Sequence, residues 1–147
     1  MKKLFKKKWP ILVIGVLVLA AVIGLVVRMG SSQTYTKLGA TDYEVGALDS
    51  AGKFSKNAGS FVSTDFHDVE GLTVKVEEDA ELSYQLYFYD EEENFISSTN
   101  KFGVTYNGTI PEGAELFKIV IEPANDDDIS TFDIIKYNSD VEVRFYK

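Results

Sequence analysis

From Asp42 to Lys147 the apolar residues recur at every second position, which admits strands and excludes a long amphipathic helix. In "GLTVKVEE" Leu72, Val74 and Val76 alternate with Thr73, Lys75 and Glu77. In "ELSYQLYFYD" Leu82, Tyr84, Leu86 and Phe88 alternate with Ser83, Gln85, Tyr87 and Tyr89. "ELFKIVIEP" sets Phe117, Ile119 and Ile121 against Lys118, Val120 and Glu122, and "DVEVRFYK" sets Val141, Val143 and Phe145 against Glu142, Arg144 and Tyr146. Turn signals separate these runs: "DSAG", "KNAG", "NG" and "IPEG". Short strands at near-even spacing over roughly a hundred residues point to an all-β, antiparallel sandwich. One face of each strand is expected in the core and the other towards solvent or a partner.

Ahead of this region stands a segment of a different kind. Five of the first eight residues are lysine, and Ile11 to Val27 carry neither a charge nor a strongly polar group. At 1.5 Å per residue those residues make about 26 Å of helix, and with Trp9, Pro10, Arg28 and Met29 the run spans a hydrocarbon core. Trp9 then lies at interfacial depth and Pro10 in the first helical turn. The competing reading is a cleaved signal peptide, but the run is longer than such apolar regions and "VVRMGSSQ" offers no convincing small-x-small cleavage pair. The expectation is a single transmembrane signal-anchor helix over residues 9–29, with a basic cytoplasmic tail at 1–8. The residues from 30 to 41, rich in Gly, Ser and Thr, read as a tether, and 42–147 as the extracellular domain.

Charge supports two environments. Residues 1–29 hold six basic residues and no acid, whereas the remainder holds nine basic residues against 23 acids, a net of −14. Such an acidic domain repels phosphate backbones, so nucleic acid is excluded as a partner. The absence of cysteine excludes disulfides, thiolate metal sites and a cysteine nucleophile.

Two acidic loops raise the question of calcium. "DEEEN" (90–94) and "NDDDIS" (125–130) lack the Asp-x-Asp-x-Asp-Gly spacing of an EF-hand, and adjacent acids on extended chain point in alternate directions. Solvated loop tips explain both. If either holds calcium, Asp126, Asp127 and Asp128 are the better candidates, because Asn125 and backbone carbonyls lie alongside. No catalytic constellation stands out: the lone histidine, His67, reads as structural, there is no serine elbow, and no acid pair is distinguished among 23. The chain is therefore read as a non-enzyme. The candidate ligand contacts are Gln85, Tyr87 and Tyr89, pointing away from Leu86 and Phe88, together with Arg144 and Tyr146 on the last strand. Aromatic faces beside Gln and Arg suit stacking on a sugar ring and bonding to its hydroxyls. The plainer alternatives are that another layer covers this face, or that it is merely a tyrosine-rich sheet surface.

The order of "VGALDSAGK", "FVSTDFHDVEGLTVKV", "YFYDEEENFISS", "TIPEGAELFKIVI" and a terminal strand resembles small jelly-roll (galactose-binding-like) modules of phage tail and baseplate proteins and of Gram-positive bacterial surface proteins. The matching positions are Gly46 to Gly52, Thr64, Phe88 to Ile96 and Ile110 to Ala114, and the likeness covers about residues 43–146. It implies a fold used to bind carbohydrate or to assemble with other proteins, and no catalytic residues. The membrane anchor departs from that pattern. The expectations are thus a displayed module for carbohydrate or cell-wall glycan or, alternatively, one that docks an envelope protein or a second copy.

Overall fold

The computed structural model describes residues 34–56, 59–106, 108–125, 135 and 138–146. The proposed membrane helix and the Asp126–Asp128 loop lie outside the described residues. Among the described residues no helix is long and apolar enough to cross a membrane.

Among the described residues eleven strands follow one another: β1 (Tyr35–Lys37), β2 (Tyr43–Val45), β3 (Ala47–Leu48), β4 (Phe54–Ser55), β5 (Phe61–Ser63), β6 (His67–Asp68), β7 (Thr73–Val76), β8 (Leu82–Tyr89), β9 (Phe95–Ser98), β10 (Leu116–Pro123) and β11 (Val141–Tyr146). A 3-10 turn, Ala40–Asp42, precedes β2. All the pairings are antiparallel. One sheet has the order β1-β11-β7, a second the order β2-β5-β10-β8-β9 with β6 also on β10, and β3 with β4 forms a separate hairpin. The all-β antiparallel expectation holds. Its lower boundary moves, because Tyr35–Lys37, expected in the tether, pair with Tyr146–Arg144 as the edge of the first sheet.

The sheets meet over one apolar cluster. Val74, Val76, Val141, Val143 and Phe145 from the three-stranded sheet pack with Tyr84, Leu86, Phe88, Phe117, Ile119 and Ile121 from the larger one. These are the residues that the alternation assigns inward. The outer face of the small sheet stays wet and charged, where Glu142 is paired with Lys37 (2.8 Å) and Arg144 (2.6 Å).

The outer face of the larger sheet is different. Antiparallel sheets commonly leave one face to water, yet Tyr87, Tyr89, Val62 and Val120 are buried there with Leu48, flanked by Phe66, Phe95 and Leu116. Strands β8 and β10 are thus covered on both sides. The cover is held by specific bonds: the Tyr89 hydroxyl donates to the Gly52 carbonyl (2.8 Å), and the Tyr87 hydroxyl proton is shared between the Leu48 carbonyl and Gln85 Oε1, both at 3.1 Å. Gly52, at φ +70°, lets the backbone come close; a Cβ there would stand 2.6 Å from the Phe95 ring and 2.8 Å from the Tyr89 hydroxyl.

Candidate functional site

The two halves of the expected ligand site part company. Gln85, Tyr87 and Tyr89 lie on β8 of the larger sheet, Arg144 and Tyr146 on β11 of the smaller one. Tyr87 and Tyr89 do point away from Leu86 and Phe88, but they are only 5% and 2% exposed, so their solvent-facing position is corrected: they form a second core. Gln85 is spent on the same construction, donating to the Thr99 carbonyl (2.7 Å) and to Ser98 Oγ (3.3 Å). Burial pushes the Tyr87 and Tyr89 hydroxyls above the usual tyrosine range, as expected of phenols sealed from water.

"DEEEN" is the tip of the β8–β9 hairpin and its order comes from one aspartate. Asp90 Oδ1 accepts the Glu92 (2.9 Å) and Asn94 (2.8 Å) backbone N–H groups, and the Asn94 side-chain amide donates to Asp90 Oδ2 (2.9 Å). That is an aspartate closing its own turn. These bonds hold its carboxyl below the ordinary value, the Asn94 side chain contributing most. Among the described residues no three His, Cys, Asp or Glu side chains converge as a metal would require.

Arg144 and Tyr146 remain at the surface. Arg144 is bound to Glu142, whereas Tyr146 is stacked on Tyr35 with ring centroids 4.2 Å apart and its hydroxyl 2.6 Å from that of Tyr35. That hydrogen bond raises the Tyr146 pKa above the usual range. Tyr35 is 51% exposed, so the pair presents aromatic surface to solvent. Gly71, at φ +69°, lies under the Tyr146 ring, where a Cβ would come within 2.4 Å of Cδ2.

Beside this pair opens a cleft of about 490 Å³. Its walls bring together Thr36 and Leu38, Asp42 of the 3-10 turn, Asp65 to Asp68, and Phe145 with Tyr146. The volume falls in the range of small-ligand sites. Asp42 gives Oδ2 to the Gly39 amide (2.7 Å) and Asp68 gives Oδ1 to the Glu70 amide (2.8 Å), which leaves one oxygen on each for another donor. Among the described residues neither lysine nor arginine lines it. His67 sits in the wall with its ring against Phe145 (4.8 Å) and Phe117 (5.5 Å).

Behind the wall, Lys118 is buried although the alternation sends it outward. Its Nζ donates to the carbonyls of Thr64 (2.8 Å) and Ser63 (3.3 Å) and lies 4.7 Å from the centre of the Phe66 ring. Burial lowers its pKa, with Glu44, Asp65 and Glu93 opposing. The ammonium thus ties the segment between β5 and β6 to β10, where Ser63 Oγ also accepts the Ile119 amide (3.2 Å).

Asp42, Asp65, Asp68 and Tyr35 were not singled out from the sequence. The "TDFHD" run holds two of the aspartates, but nothing in it shows that β1 and β11 fold over them. Comparison of the chain with family models, with curated proteins and with solved structures returned no match.

Proposed function

We propose that this chain is a membrane-anchored, extracellular β-sandwich module of the jelly-roll kind that binds carbohydrate or cell-wall glycan, with the cleft between Asp42, Asp65, Asp68 and Tyr146 as its site. The observation that carries this reading is the composition of that cleft: carboxylates with spare oxygens facing apolar ring surface, continuous through Tyr146 with the exposed Tyr35 stack. Carboxylates accept sugar hydroxyls in pairs, while ring faces take the apolar side of a pyranose. The acidic walls select against anionic polymers and favour neutral or cationic glycans. The anchor is supported by the uncharged stretch and its lysine flank, and the sandwich by a three-stranded sheet packed on a six-stranded one.

The test is a glycan array with the full chain, followed by titration of the best ligand. Tyr35→Ala, Tyr146→Ala and Asp65→Asn each weaken binding by about tenfold or more, whereas Tyr87→Phe leaves it unchanged. A chain that binds no glycan, yet recovers one stoichiometric envelope protein on crosslinking, sinks this reading. The alternative, a docking module for an envelope protein, is favoured by the edge of β9, which among the described residues is paired on one side only and leaves Ile96 38% exposed.

A further inference from the structure

The chain has one histidine, and its ring lies between Phe117 of the larger sheet and Phe145 of the smaller one. His67 belongs to the two-residue strand β6, which is held to β10 by the pairs Phe117 with His67 and Leu116 with Asp68, and by the Val69 amide bonding to the Glu115 carbonyl (3.0 Å). The ring thus touches both layers. Among the described residues its Nε2 is buried without a hydrogen-bond partner. A neutral imidazole tolerates that position as an unused acceptor. A protonated ring instead puts a charged N–H there, with nothing to receive it.

We infer that His67 is an acid-sensitive latch on the cleft: neutral, it fastens β6 beneath Phe145; protonated, it leaves that seat and loosens the cleft wall. The groups around it define where it goes. Asp65 on the preceding segment and Asp42 on the 3-10 turn attract the imidazolium, and Lys118 on β10 repels it. Asp68 of its own strand and Tyr146 on β11 complete the lining. The charged ring therefore has a destination on the aspartate side and none on the phenylalanine side. Burial is the largest influence on the seated ring and lowers its pKa from the ordinary 6.5, against the pull of Asp65 and Asp42. For a base depressed in the folded state, the unfolded chain takes up the proton first. Stability contributed by the seated ring is therefore full above about pH 6.5 and declines as pH falls towards the folded-state midpoint.

As regulation of the binding site, the inference rests on the glycan reading above; as a property of the fold it does not. With a single histidine, the imidazole resonances of the full chain in detergent micelles need no assignment by mutation. The expected result is a titration midpoint below 6.5, with the Phe117 and Phe145 amides shifting in step and the protection of the Val69 amide, relative to its intrinsic exchange rate at each pH, falling about tenfold below the midpoint. In His67→Gln the pH-dependent steps disappear. A midpoint at or above 6.5, steps that persist in His67→Gln, or a Val69 amide indifferent to the midpoint overturns the latch. If the glutamine variant does not fold, the wild-type titration and exchange decide alone. Glycan affinity equal on both sides of the midpoint overturns the regulation of the site. A chain that titrates as described but binds no glycan at any pH overturns the glycan reading and leaves the latch standing.

Discussion

Tyr89 combines two duties that a phenylalanine would divide. Its ring packs edge-on to Phe66 (4.8 Å) and Phe95 (5.8 Å), and its hydroxyl fixes the Gly52 carbonyl. Tyr89→Phe keeps the packing and leaves that carbonyl without its donor, a loss of about 1 kcal/mol in denaturant unfolding. Tyr89→Ala leaves a cavity in the second core and costs about 3–5 kcal/mol. Glu93 is the opposite kind of residue, since it holds φ +65° with a side chain ill suited to the left-handed region. Glu93→Gly relieves that strain, and an increase of about 1 kcal/mol in unfolding free energy is expected by the same measurement. The facing of Tyr87 and Tyr89 was legible from alternation alone, their burial was not. The cover comes from Leu48, Phe66 and the 47–55 hairpin, residues whose sequence reads as turn and loop. A hint was present in β10, where Val120 places an apolar side chain on the supposedly wet face.

Strand β1 shows how little sequence an edge strand needs. "TYTK" between Gly- and Ser-containing neighbours reads as tether, yet Tyr35, Thr36 and Lys37 find partners in Tyr146, Phe145 and Arg144. Three residues are too few for periodicity to register, and the pairing is set by a strand more than a hundred positions away. The longer strands β8, β10 and β11 were legible because each carries at least three apolar residues in strict alternation. The cleft was not, since segments around residues 36–42, 65–68 and 145–146 converge only through the fold. At this scale Gly71 controls the site from beneath. Gly71→Ala places a methyl against Tyr146 at a positive φ, so it costs more than about 1 kcal/mol and displaces the ring. Loss of the Tyr35–Tyr146 ring-current shifts in proton NMR, with the dispersed core resonances retained, is the expected signature.

The described residues from 34 to 146 form a three-layer arrangement about two doubly covered strands, within a region that carries a large negative charge. Residues 30–147 sum to −14, and the ion pairs on the described surface, such as Lys101 with Glu122, leave most acids facing water. Self-repulsion of this size weakens the compact state and is screened by salt. Raising sodium chloride from about 0.05 M to about 0.5 M is expected to raise the thermal midpoint by a few degrees, read by circular dichroism. A fall in the midpoint would mean that specific ion pairs outweigh net repulsion. The charge imbalance was legible at once from composition; the doubly covered sheet depends on tertiary contacts.

The pairing of Tyr35 with Tyr146 puts the entrance and exit of the described unit at a single pole, the one that also carries the cleft. Bulky additions at either end of residues 34–146 would therefore crowd the opening. A reporter or affinity handle inserted in the Asp90–Asn94 turn emerges from a different loop, whose exposed acids already tolerate full hydration. For anyone immobilising this molecule on a sensor surface, the choice of attachment point sets whether the pocket faces the analyte or the support.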